Sequence, residues 1–242
     1  MKLLPALNTI VVSVGLIYVT NVSAQNKTVV IPLFEEKTIF TGVGTTGNTK
    51  CSQFMNPPGN WVEVTPCSNL PATLGGQDAE LQAGASATPR YTVNGDGTVT
   101  DNLTSLIWLR TMFCAQQTAD WAGALGFVIA LNGSGEMAGN DCGDTSNNGG
   151  FQTDWRLPNL NELQTLVNFG HHASPYISNT NGGGHFSDGD PFSDLQNDKA
   201  YWSSTSYGIV LDDALRVNFD DGVIDATSKN AVQHVWAVRG GT

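Results

Sequence analysis

Residues 153–166 read TDWRLPNLNELQTL, and the fold is most legible in this stretch. A Gly-rich polar run, 139–150, ends just before it. Trp155-Arg156-Leu157 has the character of a short buried strand, and Pro158 stops that strand at a helix start. Asn159 is placed to cap the helix, with Glu162 three residues on to close a capping box. Leu160, Leu163, Leu166 and Val167 recur at helical spacing and give the helix one apolar stripe. An aromatic strand is thus fastened to an amphipathic helix, with Arg156 and Glu162 between them. These two could form an acid–base pair, but a buried structural ion pair suits the junction better. A strand of this kind needs a sheet, which the rest of the chain must supply.

Downstream of 153–166, Tyr201-Trp202-Ser203-Ser204-Thr205 returns to β structure, and Leu215, Val217 and Phe219 alternate with polar residues. Asp221-Gly222 makes a turn, Val223-Ile224 begins a return strand, and 234–239 alternates again to close the sheet. Upstream, Tyr91-Thr92-Val93 and Thr98-Val99-Thr100 flank Asn94-Gly95-Asp96-Gly97, a hairpin signal. Read as a calcium loop, that run lacks the first acidic ligand, where Thr92 stands, and the Glu at the twelfth position. Leu106 to Leu109 is a short apolar strand. Thr118 can cap a helix running to about Asn132, with Trp121, Leu125, Val128 and Ile129 on one side. Two long Gly/Asn/Asp loops remain, 133–150 and 170–199.

The ordered set 94–104, Ile107-Trp108, Arg156-Leu157-Pro158, 201–205 and 238–241 resembles the DUF1566 family, from about Arg90 to the C-terminus. That family includes the C-terminal domain of the Legionella collagen-like adhesin. The Arg-Leu-Pro-x-x-x-Glu core is also similar to the formylglycine-generating-enzyme group. The resemblance implies an α+β, C-type-lectin-like fold: a mixed sheet, two helices and long irregular loops, preceded here by a small β-rich segment.

Residues 1–24 have the form of a signal peptide: a basic Lys2, an apolar run from Thr9 to Val19 and a small-residue cleavage site at Val22-Ser23-Ala24. A retained N-terminal anchor is the alternative. Residues 25–89 form a small β-rich segment ending in a linker, Pro71 to Pro89, and 90–242 the main domain. Thr28 to Phe34, Lys37 to Phe40 and 61–64 are its β-rich runs. Four cysteines in an exported chain imply two disulfides. Cys51–Cys67 and Cys114–Cys142 are favoured because each brackets one irregular segment.

Acids outnumber bases 22 to 11 and the formal net charge is −11. Such a surface repels nucleic acid, anionic membranes and sulfated polysaccharides, so the sulfated ligand implied by the adhesin resemblance is not carried over. Asp188, Asp190, Asp194 and Asp198 cluster in the second long loop. Calcium at Asp188, Asp190 and Asp194 is weighed against a plainly solvated loop. His171, His172 and His185 fit no zinc spacing. Trp155, Trp202 and Trp236 read as core, leaving Tyr176, Phe186 and Tyr207, with Asp188 and Asp190, as ligand contacts. No nucleophile elbow, phosphate loop or basic stripe is present, and the late cysteines of formylglycine chemistry are missing.

The expectation is therefore an exported bacterial, non-catalytic binding or adhesion module with no cofactor beyond calcium. Its partner is a glycan or a surface protein, and it is secreted or held at the cell surface, the periplasm being the alternative. A structural subunit of a filament, surface layer or envelope complex, built by self-association, is the competing reading. An enzyme akin to the formylglycine-generating group ranks last.

Overall fold

The computed structural model describes residues 12–13, 16–17, 45–46, 48–55, 60–81, 84–171, 173–196 and 198–240. The leader and the β-rich runs expected at 28–34 and 37–40 fall outside these, apart from strands β1 (Val12–Ser13) and β2 (Leu16–Ile17), which pair antiparallel. Residues 1–38 and 39–242 are separate units. Among the described residues no helix is long and apolar enough to cross a membrane.

In the second unit, β3 (Cys51–Met55) pairs with β4 (Asn60–Val64), and Cys51 is bridged to Cys67. Cys51, Val64 and Ala79 form a small apolar cluster of their own. The stretch 71–89, expected as a linker, instead carries a 3-10 turn at Ala72–Leu74 and α1 (Asp78–Leu81). Gln77 explains the order there. Its side-chain amide bonds both the N–H and the C=O of Ser52, at 2.9 and 2.7 Å, as another strand would.

The main domain is α+β. β5 (Tyr91–Val93), β6 (Thr98–Asp101), β7 (Leu106–Leu109) and β13 (Val238–Gly240) form an antiparallel sheet in the order β13-β7-β6-β5. A second antiparallel sheet runs β10-β11-β12: Tyr201–Ser206, Asp213–Val217 and Ile224–Ser228. A two-stranded ribbon, β8 (Glu136–Met137) with β9 (Asn140–Asp141), leads to Cys142, which is bridged to Cys114. The core between these parts is aromatic. Trp108 lies 4.5 Å from Trp236, which meets Phe192 edge-on at 4.8 Å.

Residues 233–238 join the two sheets. All six are at most 5% exposed, so the alternation expected here is absent. Gln233 exchanges both backbone bonds with Ala119, and His234 bonds Ala200 and Trp202. Val238 exchanges both with Arg156 and also pairs with Trp108 of β7. With neighbours on both sides and aromatic rings around it, the segment has no solvent face, so its pattern is a continuous run rather than a period of two.

The 153–166 stretch folds largely as its residues dictate. Asn159 accepts from the Glu162 N–H, and Glu162 accepts from the Asn159 N–H, closing the capping box. Helix α3 nevertheless spans only Leu160–Gln164. It tightens into 3-10 turns, which still bury Leu163, Leu166 and Val167. The expected strand at 155–157 is reduced to the single Arg156–Val238 bridge. Arg156 grips Glu162 through two 2.6 Å bonds, but its side chain is 42% exposed, so the pair is structural without being buried. The buried pair is Arg90–Asp101, whose carboxylate is fully enclosed.

Helix α2 (Trp121–Ser134) starts two residues later than expected. Asp120, not Thr118, caps it by accepting from Gly123 N–H at 2.7 Å. It buries Ala124, Val128 and Leu131 and leaves Ile129 73% exposed. The sequence WAGALGFVIAL is apolar nearly all round, so periodicity could not select the face.

Gly97 sets how closely the β5–β6 turn meets the 133–150 loop. Its φ is +83°, and a Cβ there would lie 1.9 Å from the Gly143 carbonyl oxygen. Gly95 has a similar φ of +80° but faces open space. Gly97→Ala is expected to destabilise by at least about 3 kcal/mol and Gly95→Ala by about 1 kcal/mol. Urea denaturation of both variants measures the difference.

Candidate functional site

The second sheet carries a cleft of about 450 Å³ on the β11–β12 surface. Its wall is a cross-strand pair. Arg216 lies opposite Asp225 in the β11–β12 register and binds it with two bonds of 2.7 and 2.9 Å. The turn that closes this hairpin adds Asn218, Asp221 and Val223. Asn218 and Asp221 side chains accept from the N–H groups of Asp220 and Val223, holding the turn rigid. Asp198, Lys199 and Ala200 enter from the loop preceding β10, and Gln233 completes the lining.

Gln233 is 5% exposed, and its Oε1 finds no hydrogen-bond partner among the described residues. Its neighbour His234 is 2% exposed and contacts Asp198 Oδ1 through Nε2 at 2.8 Å. Phe113 meets the imidazole edge-on at 5.0 Å, and the Tyr201 ring lies 5.2 Å away. Burial pushes the His234 pKa below its ordinary 6.5, against the pull of the Asp198 carboxylate. The hydrogen bond from His234 in turn lowers the Asp198 pKa. A neutral ring donating from Nε2 leaves Nδ1 as a buried acceptor, and Nδ1 has no partner among the described residues.

The residues singled out from sequence do not assemble into one site. Asp188 accepts from the Asp194 N–H, Asp190 from the Thr180 N–H and hydroxyl, and Asp194 from the Gln196 amide. Each is engaged in bracing the loop, and no three His, Cys, Asp or Glu side chains converge among the described residues. Phe186 is 8% exposed and belongs to the core, which corrects its assignment as a surface contact. Its N–H bonds Ile177 O, folding the loop onto apolar side chains. Tyr176 is half-buried against Phe169, at 6.0 Å between rings, and Tyr207 is half-buried beyond the end of β10. His171 and His185 stack edge-on at 5.5 Å, and His172 lies outside the described residues. Trp155, Trp202 and Trp236 are core, as expected.

Apart from Asp198, the cleft residues were not singled out from sequence. Counting back from a two-residue Asp221-Gly222 turn would set Arg216 opposite Thr227; the hairpin instead closes through a longer loop that pairs Arg216 with Asp225. Gln233 carried no signal of its own.

The family model for the Lcl C-terminal domain matches residues 97–239, more than half the chain. The chain belongs to the Lcl C-terminal domain family. No curated protein matches it. The matched span runs from the β5–β6 turn into β13, so in this Lcl C-terminal domain every cleft residue and both cysteines of the second disulfide fall inside the family region.

Because folded His234 resists protonation, the unfolded chain binds the extra proton below pH 6.5. Stability should therefore fall as pH drops from 6.5 towards the lowered folded value. In Asp198→Asn the ring loses its carboxylate partner and should titrate lower still. NMR titration of the imidazole, with denaturation curves across the same pH range, checks both.

Proposed function

We propose that this protein is an exported bacterial adhesin-like module that binds a polar surface ligand without catalysing a reaction. Supporting this reading most directly is membership of the Lcl C-terminal domain family, taken with the build of its irregular stretches. These stretches are fixed by buried side chains and a disulfide. Trp155 donates to Asp144 and Trp202 to Ala119 O, while Cys114–Cys142 ties the first loop to the core. Rigid loops on a stable scaffold present recognition surfaces at little ordering cost. Two disulfides suit an oxidising compartment, at the cell surface or outside the cell, with the periplasm as the alternative. The ligand is a glycan or a surface protein, bound without a cofactor or with calcium at the Asp188–Asp194 loop.

A second reading, assembly into a filament, surface layer or envelope complex, is favoured by one observation. The β10–β11 connection exposes Ile209 by 81%, Val210 by 43% and Leu211 by 75%, an apolar tip suited to a second copy.

Purified protein should bind a defined subset of a glycan array or of bacterial and host surface proteins, while sedimenting as a monomer. A concentration-dependent polymer that binds nothing on either array would favour the assembly reading. Repeating the arrays with EDTA and with added calcium separates a calcium-dependent ligand from an independent one.

A further inference from the structure

We infer that the β11–β12 cleft is a binding site for a neutral saccharide unit, with Gln233 at its floor; this rests on the reading of the protein as a binding module. The volume, about 450 Å³, falls within the range of small-ligand sites. Gln233 marks it as a site. Its Oε1 is a buried acceptor without a partner among the described residues, costly in the free protein, and turning that side-chain amide into the cleft would let a ligand hydroxyl donate to it.

The charges select against ions of either sign. Arg216 is held bidentately by Asp225, which leaves Lys199 as the lining cation without an ion-pair partner among the described residues. Three carboxylates against two cations disfavour sulfate, phosphate or uronate groups. A cation is served no better, since Asp198 is engaged by His234, Asp225 by Arg216 and Asp221 by the Val223 N–H. Each carboxylate nevertheless keeps lone pairs for further donors. Fixed acceptors, a lysine and an amide around a half-exposed Val223 match the vicinal hydroxyls and C–H face of a sugar ring. Among the described residues no aromatic ring lines the cleft, so recognition falls to hydrogen bonds.

The test is NMR titration of the full isotope-labelled chain with D-galactose, D-mannose and N-acetyl-D-glucosamine. Glucuronate and glucosamine serve as anionic and cationic counterparts. At least one neutral sugar should shift the Gln233 and Asn218 side-chain amides, and neither charged sugar should do so more strongly. Gln233→Leu should weaken that binding at least tenfold while leaving the melting temperature unchanged or higher, because it removes an unpaired buried polar group. Should Gln233→Leu fail to fold, Asp221→Ala on the exposed rim should weaken binding at least threefold. Stronger shifts with glucuronate or glucosamine, or neutral-sugar binding that survives these substitutions, would overturn the site. If no sugar of the panel shifts the cleft while a surface protein binds on the arrays, the saccharide assignment fails and the binding-module reading stands. If nothing binds in either experiment, both fail.

Discussion

Six consecutive residues near the C-terminus, Gln233 to Val238, carry the architecture. They have almost no contact with solvent, so every backbone N–H and C=O among them needs a partner inside the protein. Partners for Gln233, His234, Ala237 and Val238 come from both sheets and from the segments leading into them: Ala119 ahead of α2, Ala200 and Trp202 at β10, Arg156 at the capped junction and Leu109 at the end of β7. Satisfying them fixes where each of these pieces sits. Trp236 strengthens the seam by donating its indole N–H to Leu109 O at 2.8 Å and by filling the space between Trp108 and Phe192. Trp202 does the same from the other side, donating to Ala119 O, which already accepts from Gln233.

This seam explains how a chain with short strands and two short main-domain helices supports so much irregular backbone. Buried loop backbone is normally avoided because its polar groups go unpaired. Here indole N–H groups, side-chain carboxylates and amides replace missing ladder bonds. Asp144 alone accepts from Gln152 N–H, Ser146 N–H and hydroxyl, and the Trp155 indole. These bonds hold its carboxyl below the ordinary pKa range despite the opposing effect of burial. The loops behave as parts of the core with an outer surface, which suits the recognition role proposed for them.

Much of this was legible where the cause is local. The capping box at Asn159–Glu162, the hairpin around Asn94–Gly97, the β7 strand and the two disulfides follow from residues close in sequence, or from cysteine number. What was lost depends on distant partners. The face of α2 is chosen by what packs on it, since its own residues are apolar all round. Phe186 looked like a loop aromatic because its loop folds back on itself, its N–H donating to Ile177 O from earlier in the same loop, and no local pattern announces that fold. The cleft is the clearest case. Positions 198, 216, 225 and 233 meet only because the seam brings the last segment against β10, and a buried glutamine in an apolar-looking run announces nothing.

Native-state hydrogen exchange tests the seam most directly. The amides of Gln233, His234 and Val238, with those of their partners Ala119, Arg156 and Trp202, should exchange only through global unfolding, as slowly as the slowest amides of β6 and β7. Exchange of these six through local opening, while the sheets stay protected, would contradict the account.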